Sequence, residues 1–298
     1  MMGFLTAEKV MLFTAPLTVF LIILESFLSA RYEWKFYKWK DSLSNVFLAA
    51  CFFLIDLISK GAGFIFISFF YFHGFQLAPD PKSSAVLYWI LLILLQDVAY
   101  WLQHFLDHKV RFLWAGHIHH HSSAEFNFTV GIRSAVFEPI EKFVFFAPIA
   151  LIGFRPIDII FAYILSQAWG IFVHTRMIKK LGPLEYFMTT PSHHRVHHGR
   201  NVKYLDRNYG MLFIWWDKLF GTFEPEDQQE PVDFGIVKNV QYKNYPDIIF
   251  NEYRQIIKDS TQKLSLKQRL KYIFGPPGYS HDGRSKTAKE LQEEQSPN

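Results

Sequence analysis

The chain has 298 residues, of which 50% are hydrophobic and 19% are charged, and its formal net charge is +4. This composition lies at the apolar edge of soluble proteins, and the modest, scattered charge excludes a nucleic-acid partner. The single cysteine, Cys51, excludes both a disulfide framework and a thiolate metal site.

Five apolar segments are candidates for membrane helices, which need about 20 largely apolar residues each. They are Met11–Ala30, Asn45–Phe72, Ala85–Phe105, Phe143–Phe154 with its flanks, and Ile157–Val173. The competing interpretation, a soluble protein with buried helices, is disfavoured because so many such segments occur in one chain. The sequence therefore predicts an all-α integral membrane protein with about four to five transmembrane helices.

Basic residues in the short loops predict the orientation, because cytosolic loops are rich in Lys and Arg. The loop from Arg31 to Asp41 holds four of them, whereas the connection from Gly74 to Ser83 holds only Lys82. We therefore expect the amino terminus outside, a hairpin formed by the fourth and fifth segments, and everything from Lys179 onward in the cytosol. The membrane would be the endoplasmic reticulum in a eukaryote or the inner membrane in a bacterium.

Three parts of the chain follow from this reading. Residues 1–83 are N-terminal membrane segments, residues 84–225 are the core that carries the histidines, and residues 226–298 are a cytosolic C-terminal region. The stretches Ile248–Ile257 and Leu264–Phe274 mix apolar and basic positions at helical spacing. They predict amphipathic helices that lie on the membrane or cap the histidine site.

Histidines dominate the middle of the chain, where 11 of the 13 lie between His104 and His198. The first two are four residues apart, so a helix places both rings on one face. Two later boxes each contain a histidine, a second one three residues on, and a third directly after it. The eight residues are His104, His108, His117, His120, His121, His194, His197 and His198. They are enough ligands for two metal ions that keep positions open for substrate.

Neutral imidazole suits iron, zinc, copper or nickel, and the lack of thiolates argues against iron–sulfur clusters and structural zinc. His174, at the end of the fifth apolar segment, is a candidate ninth ligand. For His119 and His193 a supporting role and a purely structural role remain open. We expect His73 and His281 to be ordinary polar residues.

Carboxylates near two metal ions are expected to offset the positive charge and to orient the histidine rings. Asp97 lies seven residues before His104, two helical turns along the same face. An ionisable residue inside a membrane segment indicates a functional site, so we predict a catalytic role for Asp97. Four further candidates, for which a capping or solvated role is the competing interpretation, are Asp107, Glu125, Asp206 and Asp217.

The three boxes, their spacing and the stretch from Asn208 to Phe223 resemble the fatty acid hydroxylase/sterol desaturase superfamily of membrane di-iron enzymes. Within that superfamily, residues 114–117, 181–185, 190–201 and 274–279 are most similar to the alkylglycerol monooxygenases. The chain departs from that group at Lys109, because we expect members of the group to have an acidic residue at this position.

The resemblance implies an O2-dependent lipid monooxygenase or hydroxylase with two non-haem irons, a membrane lipid substrate and a cytosolic active site. The most similar group implies an ether lipid, with electrons from tetrahydrobiopterin or a similar reduced pterin; a cytochrome or ferredoxin chain is the alternative donor. A sterol desaturase, a C-4 methyl oxidase and a fatty acid hydroxylase remain alternatives.

Two alternatives from other functional classes fit this pattern less well. A histidine-rich metal transporter would hold its ligands near the middle of its spans, whereas these boxes fall at span ends and in loops. A b-type haem carrier needs paired axial histidines on facing helices, not adjacent histidine couples. The pattern therefore favours the oxygenase.

Overall fold

The computed structural model of the protein describes residues 7–238 and 240–295, with side chains from residue 12 onward. Within these ranges the regular structure is helical, apart from two isolated β-bridges, so the all-α prediction is confirmed. The α-helices are α1 (Ala7–Arg31), α2 (Trp39–Phe72), α3 (Ala85–Lys109), α4 (Arg111–His121), α5 (Phe128–Gly131), α6 (Glu138–Ile152), α7 (Pro156–Phe172), α8 (Pro191–His197), α9 (Trp215–Phe220), α10 (Tyr245–Ser260), α11 (Leu266–Phe274) and α12 (Ala288–Gln295). Short 3₁₀-helices occupy Gly182–Tyr186 and Val202–Tyr204.

Among the residues that the structure describes, three helices are long and apolar enough to cross a membrane, namely Leu12–Arg31 of α1 and the whole of α2 and α3. With 34 residues, α2 extends for about 50 Å at the usual helical rise, more than the hydrocarbon thickness of a bilayer. Large apolar side chains on the outer surface of these helices, such as Phe20, Leu54 and Ile65, are more than half exposed, as expected where a helix contacts lipid.

The predicted fourth and fifth segments form the hairpin of α6 and α7, with 15 and 17 residues. Its turn reaches the connection between α2 and α3, where the Phe75 amide donates to the Leu151 carbonyl at 2.8 Å. The Leu77 amide likewise donates to the Ile152 carbonyl at 2.7 Å. The hairpin thus runs to the end of the bundle away from the histidines. The total of four to five membrane passes stays a prediction.

The apolar core of the bundle lies between α2, α3, α6 and α7. It contains fully buried side chains from each helix, among them Ile67, Leu92, Phe146 and Ile159. A Cβ atom at Gly63 would lie 2.0 Å from the Phe143 ring, so α2 and α6 approach each other only because this residue is glycine. This close packing holds the hairpin against the long helix.

At the other end of the bundle, α4 follows α3 directly after Val110, and α10 and α11 pack against α4. Arg111 links α4 to α10, because its side chain pairs with Glu252 at 2.7 Å and with Asp259 at 2.8 Å. Both predicted amphipathic helices are therefore present and cap the histidine end. The division of the chain at residues 83 and 225 stays a prediction.

Candidate metal centre

Nine buried histidines converge at the capped end of the bundle, and none is more than 8% exposed. They come from the last turns of α3, from α4, from the residue after the C-cap of α7, and from α8 and its C-cap. The nine are the predicted ligands His104, His108, His117, His120, His121, His174, His194, His197 and His198. The structure thus brings together residues that lie up to 94 positions apart (198 − 104).

The nine rings separate into two groups, within each of which one nitrogen per ring lies within 4.8 Å of the others. The first group is His104, His108, His117, His121 and His197, and the second is His120, His174, His194 and His198. Helical geometry explains the division in α4. His117 and His121 are four residues apart and share a face, whereas His120, directly before His121, is rotated by about 100° from it around the helix axis. Each box therefore contributes to both groups, apart from the box on α3.

Several ligand nitrogens lack any hydrogen-bond partner among the described residues, which is rare for buried polar atoms. These atoms are the Nε2 atoms of His104, His108, His197 and His198. In the second group, the Nε2 atoms of His174 and His194 lie only 2.9 Å apart. Two imidazole nitrogens this close together can be ligands of one cation. The donor set therefore fits a metal ion in each group.

Backbone carbonyls orient four of the rings from behind. The Nδ1 atoms involved belong to His104 (2.8 Å from Tyr209 O), His120 (2.7 Å from Arg133 O), His174 (2.6 Å from Gly170 O) and His197 (2.9 Å from Arg207 O). A carbonyl oxygen only accepts, so each Nδ1 carries the proton and each Nε2 presents its lone pair to the metal space. This arrangement fixes the tautomer that metal binding requires.

Burial keeps these imidazoles neutral. It lowers the pKa of His120 to about 4. For His117, His121 and His198, burial first and the neighbouring histidines second lower the pKa well below its usual range. At neutral pH the rings are therefore unprotonated ligands that need no deprotonation to bind a cation.

Asp97 contacts residues 212–216, in the segment that follows the third box. Its carboxylate accepts hydrogen bonds from the amides of Leu212 (2.9 Å) and Phe213 (3.1 Å) and from the indole of Trp216 (2.9 Å). None of these contacts reaches a histidine ring. The structure thus assigns Asp97 a part in holding this segment, and its predicted catalytic role stays a prediction.

Asp217, one of the four further candidates, connects indirectly to the first box. Its carboxylate accepts from the amides of Tyr209 and Gly210, both at 2.8 Å, and from the indole of Trp101 at 3.1 Å. The Tyr209 carbonyl is the acceptor that orients His104. Asp217 therefore positions a histidine through the backbone.

The other candidate carboxylates differ in their distance from the rings. Asp107 Oδ2 lies 3.8 Å from His117 Nδ1, and Asp206 Oδ1 lies 3.6 Å from His108 Nδ1. Lys109 pairs with Asp206 at 2.5 Å, so the basic residue after the first box holds an acidic group next to it. A separate site is formed by Glu125, which pairs with Lys38 at 2.6 Å and Arg176 at 2.8 Å.

The remaining histidines make structural contacts. His119 Nε2 accepts from the Val136 amide at 2.8 Å, and His193 faces Glu185 at 3.2 Å. His281 Nδ1 lies 2.8 Å from the Tyr272 hydroxyl, and His73 Nδ1 lies 2.8 Å from a carbonyl of its own helix.

Two openings flank the histidines. A cavity of about 30 Å³ faces the α6–α7 hairpin and is lined by Tyr100, Glu138, Gln167 and Met211 together with rings of both groups. On the cap side, a cleft of about 1050 Å³ reaches His108, His121 and His197 between α4, α10, α11 and residues 276–291. Glu138 was missed from the sequence. It could have been identified as a candidate site residue, because it is an ionisable residue at the start of an apolar helix.

Comparisons with known proteins place this site in context. Residues 89–222 match the fatty acid hydroxylase family. Alkylglycerol monooxygenases are 35% identical, the protein of Danio rerio over 70% of this chain and 45% of its own length, and that of Homo sapiens over 64% and 42%. Ornithine lipid hydroxylase OlsE of Rhizobium tropici is 27% identical over 51% of this chain and 46% of its own length. The chain thus spans less than half the length of these curated relatives, and no solved structure matches it.

Proposed function

We propose that this chain, whose residues 89–222 match the fatty acid hydroxylase family, is a membrane di-iron oxygenase that hydroxylates a lipid C–H bond. This match agrees with the resemblance seen in the sequence. The observation that carries the proposal is the pair of buried histidine groups, whose ligand nitrogens converge within 4.8 Å in each group. Residues 84–225 would form the catalytic core.

The five-histidine group would hold one iron and the four-histidine group the other. Bound there, the two irons would supply the electrons and the Lewis acidity that O2 needs to attack an unactivated C–H bond. Every ligand is a neutral imidazole, so the protein must offset the metal charge with groups outside the ligand set. Asp107 and Asp206, 3.8 Å and 3.6 Å from ligand rings, are suited to this task.

The lipid would approach from the hairpin side, where the small cavity is lined by apolar groups such as Ala135 and Met211. Because the α6–α7 hairpin packs among the membrane helices, a lipid tail can reach this side without leaving the bilayer. We propose an ether lipid, since the relatives of Danio rerio and Homo sapiens are named alkylglycerol monooxygenases. Their 35% identity is the support for this finer assignment.

The overall reaction would convert R–H, O2, two electrons and two protons into R–OH and water. Attack on the carbon next to the ether oxygen is favoured, because the oxygen lone pair stabilises a radical at that carbon. The product is a hemiacetal, which breaks into a fatty aldehyde and glycerol without further oxidation. The protein's part is to orient that carbon towards the histidine groups and to exclude water from the small cavity.

Electrons would arrive from the cap side. The cleft of about 1050 Å³ reaches three ligand histidines and carries the aromatic rings of Trp114 and Tyr272 beside Lys109 and Arg111. Such a lining suits a small, planar, polar reductant, so a reduced pterin such as tetrahydrobiopterin is the donor we propose. A cytochrome or ferredoxin chain is the alternative. The cap side would face the cytosol, in the endoplasmic reticulum of a eukaryote or the inner membrane of a bacterium.

The test uses membranes that contain the iron-loaded protein, an alkylglycerol, and either tetrahydrobiopterin or a ferredoxin system. We expect aldehyde release that depends on O2, with ¹⁸O from labelled O2 in the aldehyde when exchange with water is suppressed by rapid trapping. Parallel reactions offer a fatty acid and a sterol, and a His197→Ala variant controls for background. Intact alkylglycerol beside a hydroxylated fatty acid or sterol would overturn the ether-lipid assignment. No oxidation of any lipid by iron-loaded protein would overturn the oxygenase assignment.

A further inference from the structure

Glu138 is a buried carboxylate at the wall of the small cavity that the histidines line. It begins α6, is 8% exposed, and belongs to no ligand group. Its Oε1 atom accepts a hydrogen bond from the Tyr163 hydroxyl at 2.7 Å and another from the Gln167 amide at 3.2 Å. Two side chains of α7 thus fix the orientation of the carboxylate.

The second carboxylate oxygen, Oε2, has no hydrogen-bond partner among the described residues. The nearby cation does not fill this place, because Lys142 pairs with Asp56 at 2.9 Å and lies over the Tyr163 ring at 4.5 Å. Oε2 is not fully buried and Glu138 lines the cavity, so a donor that enters the cavity can reach and stabilise this oxygen. The cavity is the space from which such a donor can come.

The position of Glu138 limits what that donor can be. Rings of both histidine groups line the same cavity, among them His104, His120 and His194. The cavity has a volume of about 30 Å³, so a polar group that enters it lies close to both the carboxylate and the metal ligands. A plain hydrocarbon chain offers no donor, whereas a hydroxyl group a few bonds from the oxidised carbon, as in an alkylglycerol, does.

We propose that Glu138 is a specificity residue that accepts a hydrogen bond from a hydroxyl group of the lipid substrate. This inference rests on the proposed lipid oxygenase function and narrows its substrates to lipids with a free hydroxyl close to the carbon that is oxidised. Tyr163 and Gln167 are positioning residues for the carboxylate. A lipid whose hydroxyl is blocked leaves the carboxylate buried without its donor, and sites of this kind discriminate strongly.

The test measures binding, with zinc in place of iron so that no lipid is consumed. Two lipids are compared, an alkylglycerol with free hydroxyls and the same molecule with the hydroxyl nearer the ether methylated. For the unmodified protein in nanodiscs we expect about 10- to 100-fold tighter binding of the free hydroxyl form, as for a hydrogen bond to a charged group. In Glu138→Gln this ratio should fall to about threefold or less.

Two further variants keep the test decisive. Glu141→Gln changes a carboxyl on the same helix that does not line the cavity, so it should keep the full ratio. Tyr163→Phe removes one positioning bond and should lower the ratio while zinc content is unchanged. Equal binding of the two lipids by the unmodified protein, or an undiminished ratio in zinc-loaded Glu138→Gln, would overturn the inference. Selective binding without oxidation of any lipid by the iron form would instead overturn the proposed oxygenase function alone.

Discussion

The Nδ1 atom of His104 lies 2.8 Å from the carbonyl oxygen of Tyr209, which joins the end of a membrane helix to a loop 105 residues later. Asp217 holds that loop from the opposite side, because its carboxylate accepts from the Tyr209 amide at 2.8 Å. The first histidine box is therefore oriented by a buried carboxylate that never touches it. Metal binding and the stability of the loop should consequently change together.

Replacing Asp217 with Asn tests this connection. One acceptor oxygen becomes an NH2 donor, so a buried amide of Tyr209 or Gly210 loses its acceptor, which costs about 1–3 kcal/mol. We expect a lower unfolding temperature and less iron in the five-histidine group, with smaller loss from the other group. The measurements are thermal unfolding and iron per chain. Iron content equal to that of the unmodified protein would contradict the positioning role.

Asp97→Asn is the matched comparison, since Asp97 also accepts from two backbone amides, but none of its hydrogen-bond partners orients a histidine ring. Here we expect a similar loss of stability with iron content retained. If Asp97 is catalytic, as the sequence predicts, the substitution should instead lower kcat by more than the loss of folded protein. Measuring kcat per iron-loaded chain therefore separates the two roles.

The division of the histidines predicts that each metal can be removed separately. His121→Ala removes a ligand from the group of five, and His198→Ala removes one from the group of four. Each variant should fall from about two irons per chain to about one and lose all turnover, because both metals are needed for the reaction. His281→Ala changes a histidine that belongs to neither group, and it should keep both metals. Full iron content in either of the first two variants would refute the two-site arrangement.

The orientation predicted from the basic loops has its own test. Cysteine reporters are introduced into a Cys51→Ser background, near Lys38 in one protein and near Lys82 in another. A membrane-impermeant thiol reagent applied from the cytosolic side should label the first and not the second. A third reporter, beyond residue 282 in the C-terminal region, should also be labelled. Labelling of the Lys82 position from the cytosolic side would reverse the predicted orientation.

The sequence was sufficient for the parts of the site that depend on local geometry. Spacing of three and four residues identified the boxes, and α4 and α8 place those rings as a helix must. It was not sufficient for contacts between distant segments. The Tyr209 carbonyl behind His104, and Glu138 beside Tyr163, become neighbours only through tertiary packing. The start of α6 was also hidden, because Glu138, Glu141 and Lys142 precede its apolar run, whereas α7 agrees with the predicted fifth segment to within one residue.

Arg111 supplies the last prediction, which concerns the cap. Arg111 is 7% exposed and its guanidinium pairs with Glu252 and Asp259 of α10, so Arg111→Gln leaves two carboxylates without their cation. Because the carboxylates are partly solvated, we expect a loss of about 2 kcal/mol, below the range for a fully buried pair. The loss should appear as faster proteolysis within residues 226–298, with both irons retained. Arg254→Gln, which breaks the pair with Asp247 on the same helix from a half-exposed position, should leave the proteolysis rate nearly unchanged. Equal rates for Arg111→Gln and the unmodified protein would show that the cap is held by its apolar contacts alone.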